Sequence, residues 1–238
     1  MEKPNRRFNE MKMKHLSAVL FLASVVIAAG PDLSYLDTPL ALPTGRADHP
    51  SLSLAELDKH ADEFNKQIGG YPPRLSGADE RQEIYRAWSE TLKEARATRA
   101  RDGDSEAILR LLAELYRQGH NMHVAGASPE AHAIISEGLK KYPESTGLHF
   151  QAAYFFLQVD PKYAPESEKA LLKLRGLLKT DRNPEVERWL ARAYVVEGRV
   201  EEAQKQVERC LSITPEDAEL KKLKEGLKDG QIRRSRIE

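Results

Sequence analysis

The chain has 238 residues, and its 37 basic and 37 acidic residues give a formal net charge of zero. This balance argues against a protein that binds nucleic acid through a basic surface. Beyond residue 29 only 7 Val, 7 Thr and 8 Ile occur, too few β-branched residues for an extensive sheet, whereas Leu, Ala, Glu, Lys and Arg are abundant. The composition therefore predicts a helical protein of one or two domains.

The amino end carries an apolar segment, residues 16–29 (LSAVLFLASVVIAA), directly behind a short basic stretch. This is the profile of a signal peptide, and the segment is shorter than the roughly 20 residues that span a bilayer as a helix. We expect residues 1–29 to direct export, with cleavage near Ala29 and the rest of the chain in the periplasm or outside the cell. The alternative is an uncleaved inner-membrane anchor, the chain's one attachment to a membrane, with the repeat domain beyond the cytoplasm. The candidate start residues are Met1, Met11 and Met13.

Residues 30–51 contain four prolines and no helical period, and they predict a flexible linker. Next, Ser53 and Glu56 have the spacing of a capping box, and the apolar period that follows lasts about four turns before a Gly-Gly-Tyr-Pro-Pro turn. A second amphipathic helix is predicted over residues 78–99. Residues 52–101 are therefore expected to form a helical hairpin.

The clearest internal unit covers the 34 residues 184–217. Its first half has a large, a small and an aromatic residue at fixed spacing, and its second half has a small, a large and a small residue. A Gly marks the turn between the halves, and a Pro marks the end of the unit. These residues are Leu190, Ala191, Tyr194, Gly198, Ala203, Val207, Cys210 and Pro215. The unit resembles a tetratricopeptide repeat (TPR), from which it departs at the fourth position, where Glu187 replaces the usual aromatic residue.

Two further units match the same pattern if longer turns are allowed, residues 106–143 and residues 144–183, the second with Gln151 at the position of a small residue. A cap helix is predicted near residues 216–228. The resemblance implies an all-α fold, an α-solenoid of helical hairpins that forms a TPR-like superhelix over residues 104–229 with the C-terminal cap helix included. A basic tail, residues 230–238, follows.

In TPR arrays the first helix of each repeat lines a concave groove. Carried over position by position, the resemblance implies a groove of basic, aromatic and apolar side chains. They are Arg110, Glu114, Arg117, Leu148, Phe155, Phe156, Arg188, Arg192, Val195 and Val196.

The resemblance further implies a non-enzymatic scaffold or assembly factor of the bacterial cell envelope that binds a protein or peptide partner, and the basic groove favours an acidic partner. Two alternatives stay open here. Arg188 and Arg192, four residues apart on one helix, either meet an anionic partner or are neutralised by Glu185 or a neighbouring helix. Phe155 and Phe156 either line the groove or fill the core.

Three histidines, His120, His123 and His132, lie close together in sequence, and imidazole is a common metal ligand. They give the alternative prediction of a periplasmic metal-binding or hydrolytic protein. The sequence contains no Gly-x-Ser-x-Gly turn and no Gly-rich phosphate loop, and the single Cys210 excludes an intramolecular disulfide. We therefore expect no cofactor and no enzymatic activity, with Cys210 as a packing residue.

Overall fold

The computed structural model describes residues 33–48, 50–180 and 182–228, and these are predominantly helical. Their α-helices, in chain order, are α1 (Leu54–Ile68), α2 (Ala78–Asp102), α3 (Glu106–Asn121), α4 (Ala127–Lys141), α5 (Thr146–Val159), α6 (Ala164–Leu178), α7 (Pro184–Val196), α8 (Val200–Ile213) and α9 (Ala218–Lys228). Two short strands, β1 (Leu40–Ala41) and β2 (Val124–Ala125), pair in parallel. One-turn 3-10 helices cover Ser34–Leu36 and Pro161–Tyr163.

Polar caps start the first helix of each hairpin. The Ser53 hydroxyl accepts a hydrogen bond from the backbone N–H of Glu56, and the Glu56 carboxylate accepts one from the backbone N–H of Ser53 at 2.7 Å, which confirms the predicted capping box of α1. Ser105, Ser145 and Asn183 cap α3, α5 and α7, each through a side-chain oxygen that accepts from a backbone N–H of the first turn. These short polar residues therefore fix where the odd-numbered helices begin.

The helices pair in chain order as four hairpins, α1 with α2, α3 with α4, α5 with α6 and α7 with α8, and α9 packs on α8. Successive odd-numbered helices also contact one another from α1 to α7, whereas contacts between successive even-numbered helices are sparse. The odd-numbered helices therefore form the inner side of the stack, and we call the accessible side chains of α1, α3, α5 and α7 the inner face. This is the all-α solenoid that the repeat pattern predicts, and the hairpin of α1 and α2 continues it.

Small residues lie where these helices pack most closely, as the repeat pattern requires. Small residues that are at most 1% exposed include Ala113, Ala131, Ala191, Ala203 and Cys210. Gly138 of α4 serves the same purpose, because an added Cβ would lie 2.9 Å from the Leu148 Cδ2 atom of α5.

The register of α5 differs by two residues from the sequence prediction, because its N-cap is Ser145 and not Pro143, whereas Ser105 and Asn183 directly precede the predicted starts of their repeats. Gln151 is half-buried and donates a hydrogen bond from Nε2 to the carbonyl oxygen of Arg110 at 2.9 Å. Counted from the N-cap, the small residue equivalent to Ala113 and Ala191 is Ala153, which is 1% exposed. The apolar run from Ala152 to Phe156 lets neighbouring registers fit the pattern almost equally, so the sequence alone does not separate them.

The segment predicted as a flexible linker is packed instead. We call residues 33–48 the strap, because they run along α2 and pair with the turn after α3 through β1 and β2. Arg81 of α2, only 3% exposed, donates to the carbonyl oxygens of Tyr35 and Thr38 at 2.7 Å each. Leu36, within the strap, has a buried side chain. The prolines prevent a helix here, but the carbonyl oxygens of the segment remain available to accept hydrogen bonds from side chains of α2.

The predicted signal segment, residues 1–29, and the basic tail, residues 230–238, lie outside the described residues. Both therefore stay predictions. No helix within the described ranges is long and apolar enough to cross a membrane.

Candidate partner-binding face

Three of the predicted groove residues belong to the core. Leu148 and Phe155 of α5 are at most 1% exposed, and Phe156 is also buried. Phe155 contacts Phe156 with ring centroids 5.8 Å apart, and Phe156 in turn packs against Tyr163. The assignment of these three side chains to a groove is wrong, because the two-residue shift of α5 turns them toward the neighbouring helices.

Arg117 and Glu114 of α3 form an internal ion pair. Arg117 is 5% exposed and donates to Glu114 from Nη2 at 2.5 Å and from Nε at 3.1 Å. It also donates to the Asn65 side chain at 2.9 Å and to the Gly69 carbonyl at 2.5 Å, both in the α1 hairpin, and its guanidinium lies 4.8 Å from the ring centroid of Tyr154. Arg117 therefore joins α1, α3 and α5 and is not available to a partner, which corrects its assignment to the groove.

Burial acts on both charges of this pair. Desolvation raises the pKa of Glu114 and is the largest single cause, but the charge and hydrogen bonds of Arg117, with a hydrogen bond from Asn65, together hold that pKa below its ordinary value. Desolvation likewise opposes the charge of Arg117, and the attraction of Glu114 outweighs it, so the pKa of Arg117 is raised. Both side chains stay ionised in the folded protein.

Arg188 of α7 is neutralised within the chain. Its guanidinium donates to Asp217 at 2.5 Å and lies 3.6 Å from a carboxylate oxygen of Glu185. Of the two alternatives that the sequence leaves open, internal neutralisation is therefore the one found for Arg188. Asp217 is the last residue of this repeat unit and lies in the turn before α9.

Arg192, one turn further along α7, is in a different situation. Its guanidinium lies 4.5 Å from the ring centroid of Trp189, and it makes no ion pair with a carboxylate of the described residues. Burial is the main reason that its pKa is lowered, and the positive charge of Arg188 adds to this, while Glu219, Tyr154 and Glu185 act in the opposite direction from a distance. Arg192 is therefore a partly desolvated cation without a close counter-charge.

Arg110 of α3 also lacks a direct ion pair, although its charge helps to lower the pKa of Glu114 on the same helix. Its guanidinium lies against Gly147 of α5, where an added Cβ would lie 2.5 Å from Nε, and that buried Nε has no hydrogen-bond acceptor among the described residues. No carboxylate in the described part of the chain forms an ion pair with Arg110. Of the four predicted groove arginines, the structure thus leaves Arg110 and Arg192 unpaired and engages Arg117 and Arg188.

Aromatic side chains join the odd-numbered helices between these cations. The rings of Tyr154 on α5 and Trp189 on α7 meet edge to face with centroids 4.8 Å apart, a favourable geometry for aromatic pairs. With Arg117 over Tyr154 and Arg192 over Trp189, they form a row of four contacting groups across three helices. The sequence prediction did not include Tyr154 and Trp189, which are buried directly beneath this face. Val195 and Val196 are half-buried at the end of α7.

The fourth position of the last repeat, where the family pattern has an aromatic residue, holds a fully buried carboxylate. One oxygen of Glu187 accepts hydrogen bonds from Gln206 at 2.6 Å and from Arg209 at 2.9 Å, and Arg175 of α6 lies 3.6 Å away. An ion pair thus links three helices where a ring would otherwise pack. Nearby, desolvation and the charge of Glu187 raise the pKa of Cys210 to about 12, so its thiol stays protonated and unreactive.

The three histidines do not converge on one point. His132 packs against Phe156, with ring centroids 5.5 Å apart, and His123 stacks on Tyr71 and approaches the carbonyl oxygen of Leu36 with Nδ1 at 3.2 Å. Burial lowers the pKa of His120, with the neighbouring charges of His123 and Arg117 acting the same way. Among the described residues no group of three His, Cys, Asp or Glu side chains is placed to hold a metal ion.

Neither a family model nor a curated protein sequence matches the chain. Among solved structures, the chain is similar to a thermophilic TPR protein of Thermus thermophilus, with 18% sequence identity, a TM-score of 0.48, and coverage of 73% of this chain and 91% of that chain. The pairing of successive helices, their polar caps and the buried small residues establish the architecture from this chain's own residues. The described part of the chain is a TPR-like array of helical hairpins.

Proposed function

We propose that this protein is a non-enzymatic scaffold or assembly factor that binds an acidic segment of a partner protein along the inner face. The observation that carries the proposal is the pair Arg110 and Arg192, two cations on this face that have no carboxylate partner in the described residues. A guanidinium that is already partly desolvated makes strong, directional hydrogen bonds with a carboxylate. The half-buried side chains of Val195 and Val196 supply adjoining apolar surface.

We further propose that the protein works in the bacterial cell envelope. The support is the apolar segment of residues 16–29, which has the length and basic flank of a signal peptide. An uncleaved segment would leave the same repeat domain attached to the inner membrane. Amino-terminal sequencing of the mature protein distinguishes cleavage near Ala29 from retention.

Changing both free arginines to methionine, Arg110→Met with Arg192→Met, is the test of the inner face. Methionine retains most of the aliphatic packing and removes the charge, so we expect the Tm to stay nearly unchanged, because neither charge forms an internal ion pair. Recovery of partner proteins from envelope extract should fall strongly, and recovery by the parent protein should itself weaken as salt is raised.

Arg86→Met is the matched control, since Arg86 is an exposed arginine on α2, away from the inner face. It should recover the same proteins as the parent. Equal recovery of the same proteins by the parent and by the double variant at every salt concentration would refute a role for the two arginines.

A further inference from the structure

The strap occupies a groove on the outer helix α2, on a surface separate from the inner face. Three side chains of α2 hold it, and each donates to backbone carbonyl oxygens. Arg81 donates to Tyr35 and Thr38, Tyr85 donates to Ala41 at 2.6 Å, and Arg96 donates to Pro43 at 2.5 Å and Gly45 at 3.2 Å. The groove thus recognises an extended main chain over eleven residues, from Tyr35 to Gly45.

This mode of recognition tolerates proline and many sequences. Proline lacks the backbone N–H but keeps the carbonyl oxygen, and carbonyl oxygens are the groups that the α2 side chains bind. The strap itself contains Pro39 and Pro43. β1 adds a short parallel pairing, Leu40 with Val124 and Ala41 with Ala125, which again involves main chain.

The strap is held with little apolar burial. Within residues 33–48 only Leu36 is fully buried among the described side chains. Its hydrogen bonds can be exchanged for hydrogen bonds to water, so each contributes modestly to the net free energy. Release would free only Nη1 of Arg81 for water, because Nε and Nη2 keep their hydrogen bonds to the carbonyl oxygen of Met122, at 3.2 Å and 2.7 Å. A segment with these properties opens at a fraction of the free energy of global unfolding.

We propose that the α2 groove is a second binding site, in which an extended segment of a partner protein, with or without proline, replaces the strap. The partner presents an apolar side chain in the place of Leu36 and backbone carbonyl oxygens to Arg81, Tyr85 and Arg96. In the free protein the strap occupies the groove, and it therefore competes with the partner for this site. The apparent association constant for the partner is the intrinsic constant multiplied by the fraction of molecules in which the strap is released.

The test uses the full chain with Ala41→Cys and Ala125→Cys. These two residues are register partners in β1 and β2, and both are exposed, whereas the native Cys210 is buried and stays out of the reaction. Oxidation locks the strap in place, and reduction frees it. The probe is a fluorescein-labelled synthetic peptide of residues 33–48, whose binding is followed by anisotropy.

We expect saturable binding of the peptide to the reduced protein and at least about a tenfold weaker affinity in the oxidised protein, because the locked strap cannot leave the groove. A peptide with Leu36→Asp should bind at least about tenfold more weakly to the reduced protein, since a buried carboxylate has no partner there. Equal affinity in the two redox states would overturn the proposal, as would the absence of saturable binding to the reduced protein.

Hydrogen exchange on the unmodified chain gives an independent check. The backbone N–H of Ala47 donates to the carbonyl oxygen of Lys93 at 3.2 Å, so its exchange reports release of the strap. We expect it to exchange at least about a hundredfold faster than the core amides of α3 around Leu112. If the Ala47 amide exchanges only at the rate of those core amides, the strap is a permanent part of the fold and the proposal fails.

Discussion

Gly119→Ala is expected to lower the free energy of unfolding by about 1–3 kcal/mol, the usual range for overpacking a tight core. Gly119 lies inside α3, and a Cβ added there would lie 2.6 Å from Cζ2 of Trp88 and 3.1 Å from the Cβ of Ala127. Trp88 is fully buried and its indole N–H donates to the carbonyl oxygen of Leu115 at 2.8 Å, so the ring cannot move aside freely. Alanine's better helix propensity, worth about 1 kcal/mol, offsets part of this loss. Urea unfolding followed by circular dichroism measures the difference.

Gly176→Ala is the matched control. Gly176 lies in α6, and a Cβ added there would meet no atom within 4 Å. The same chemical change should therefore stabilise the protein by up to about 1 kcal/mol through helix propensity. If Gly119→Ala raised the urea midpoint as Gly176→Ala is expected to do, the close packing of α2, α3 and α4 around Gly119 would be disproved.

Arg117→Met is expected to cost about 3–5 kcal/mol, the range found when one partner of a buried ion pair is removed. The change leaves Glu114 charged and largely desolvated, and it removes one of the two donors to the Asn65 side-chain oxygen and to the Gly69 carbonyl, which Gln118 and Tyr154 still serve. Thermal and urea unfolding of the variant measure the loss. A residue that faced a partner in a solvated groove would instead change stability by less than about 1 kcal/mol.

The pairing itself is tested by combining Arg117→Met with Glu114→Leu. The double variant should lose less stability than Arg117→Met alone, because no buried charge remains. The pH dependence follows from the lowered pKa of Glu114: its contribution to stability is present above the ordinary carboxyl pKa of about 4.3 and is lost as pH falls through the folded-state value. Additive losses and an unchanged acid limb in the double variant would contradict the pair.

The helices and their order could be predicted from the sequence because their signals are local. The Ser53 cap with Glu56, the apolar period of α1 and the small residues Ala191 and Ala203 each act within a few turns of helix. The strap could not be predicted this way. Its order depends on donors from α2, such as Arg81, which lies more than forty residues further along the chain.

The candidate site was predictable only in part. A repeat pattern places Arg110, Arg117, Arg188 and Arg192 on the groove side of the first helices, and the structure separates them by their partners. Arg117 meets the end of α1, and Arg188 meets Asp217 in the turn before α9. In α5 the consecutive apolar residues conceal the register, and the Ser145 cap fixes it. Contacts beyond the first helix of each repeat therefore decide which cations remain free.

The most direct test of binding along the inner face is site-specific photo-crosslinking in intact cells. A photoreactive p-benzoylphenylalanine is placed either at Val196, half-buried at the end of α7 on the inner face, or at Leu172, an exposed residue of the outer helix α6. We predict a discrete crosslinked partner from position 196 that is lost when Arg110 and Arg192 are changed to methionine, and no such product from position 172. The same crosslinked partner from position 172, with none from position 196, would contradict binding along the inner face.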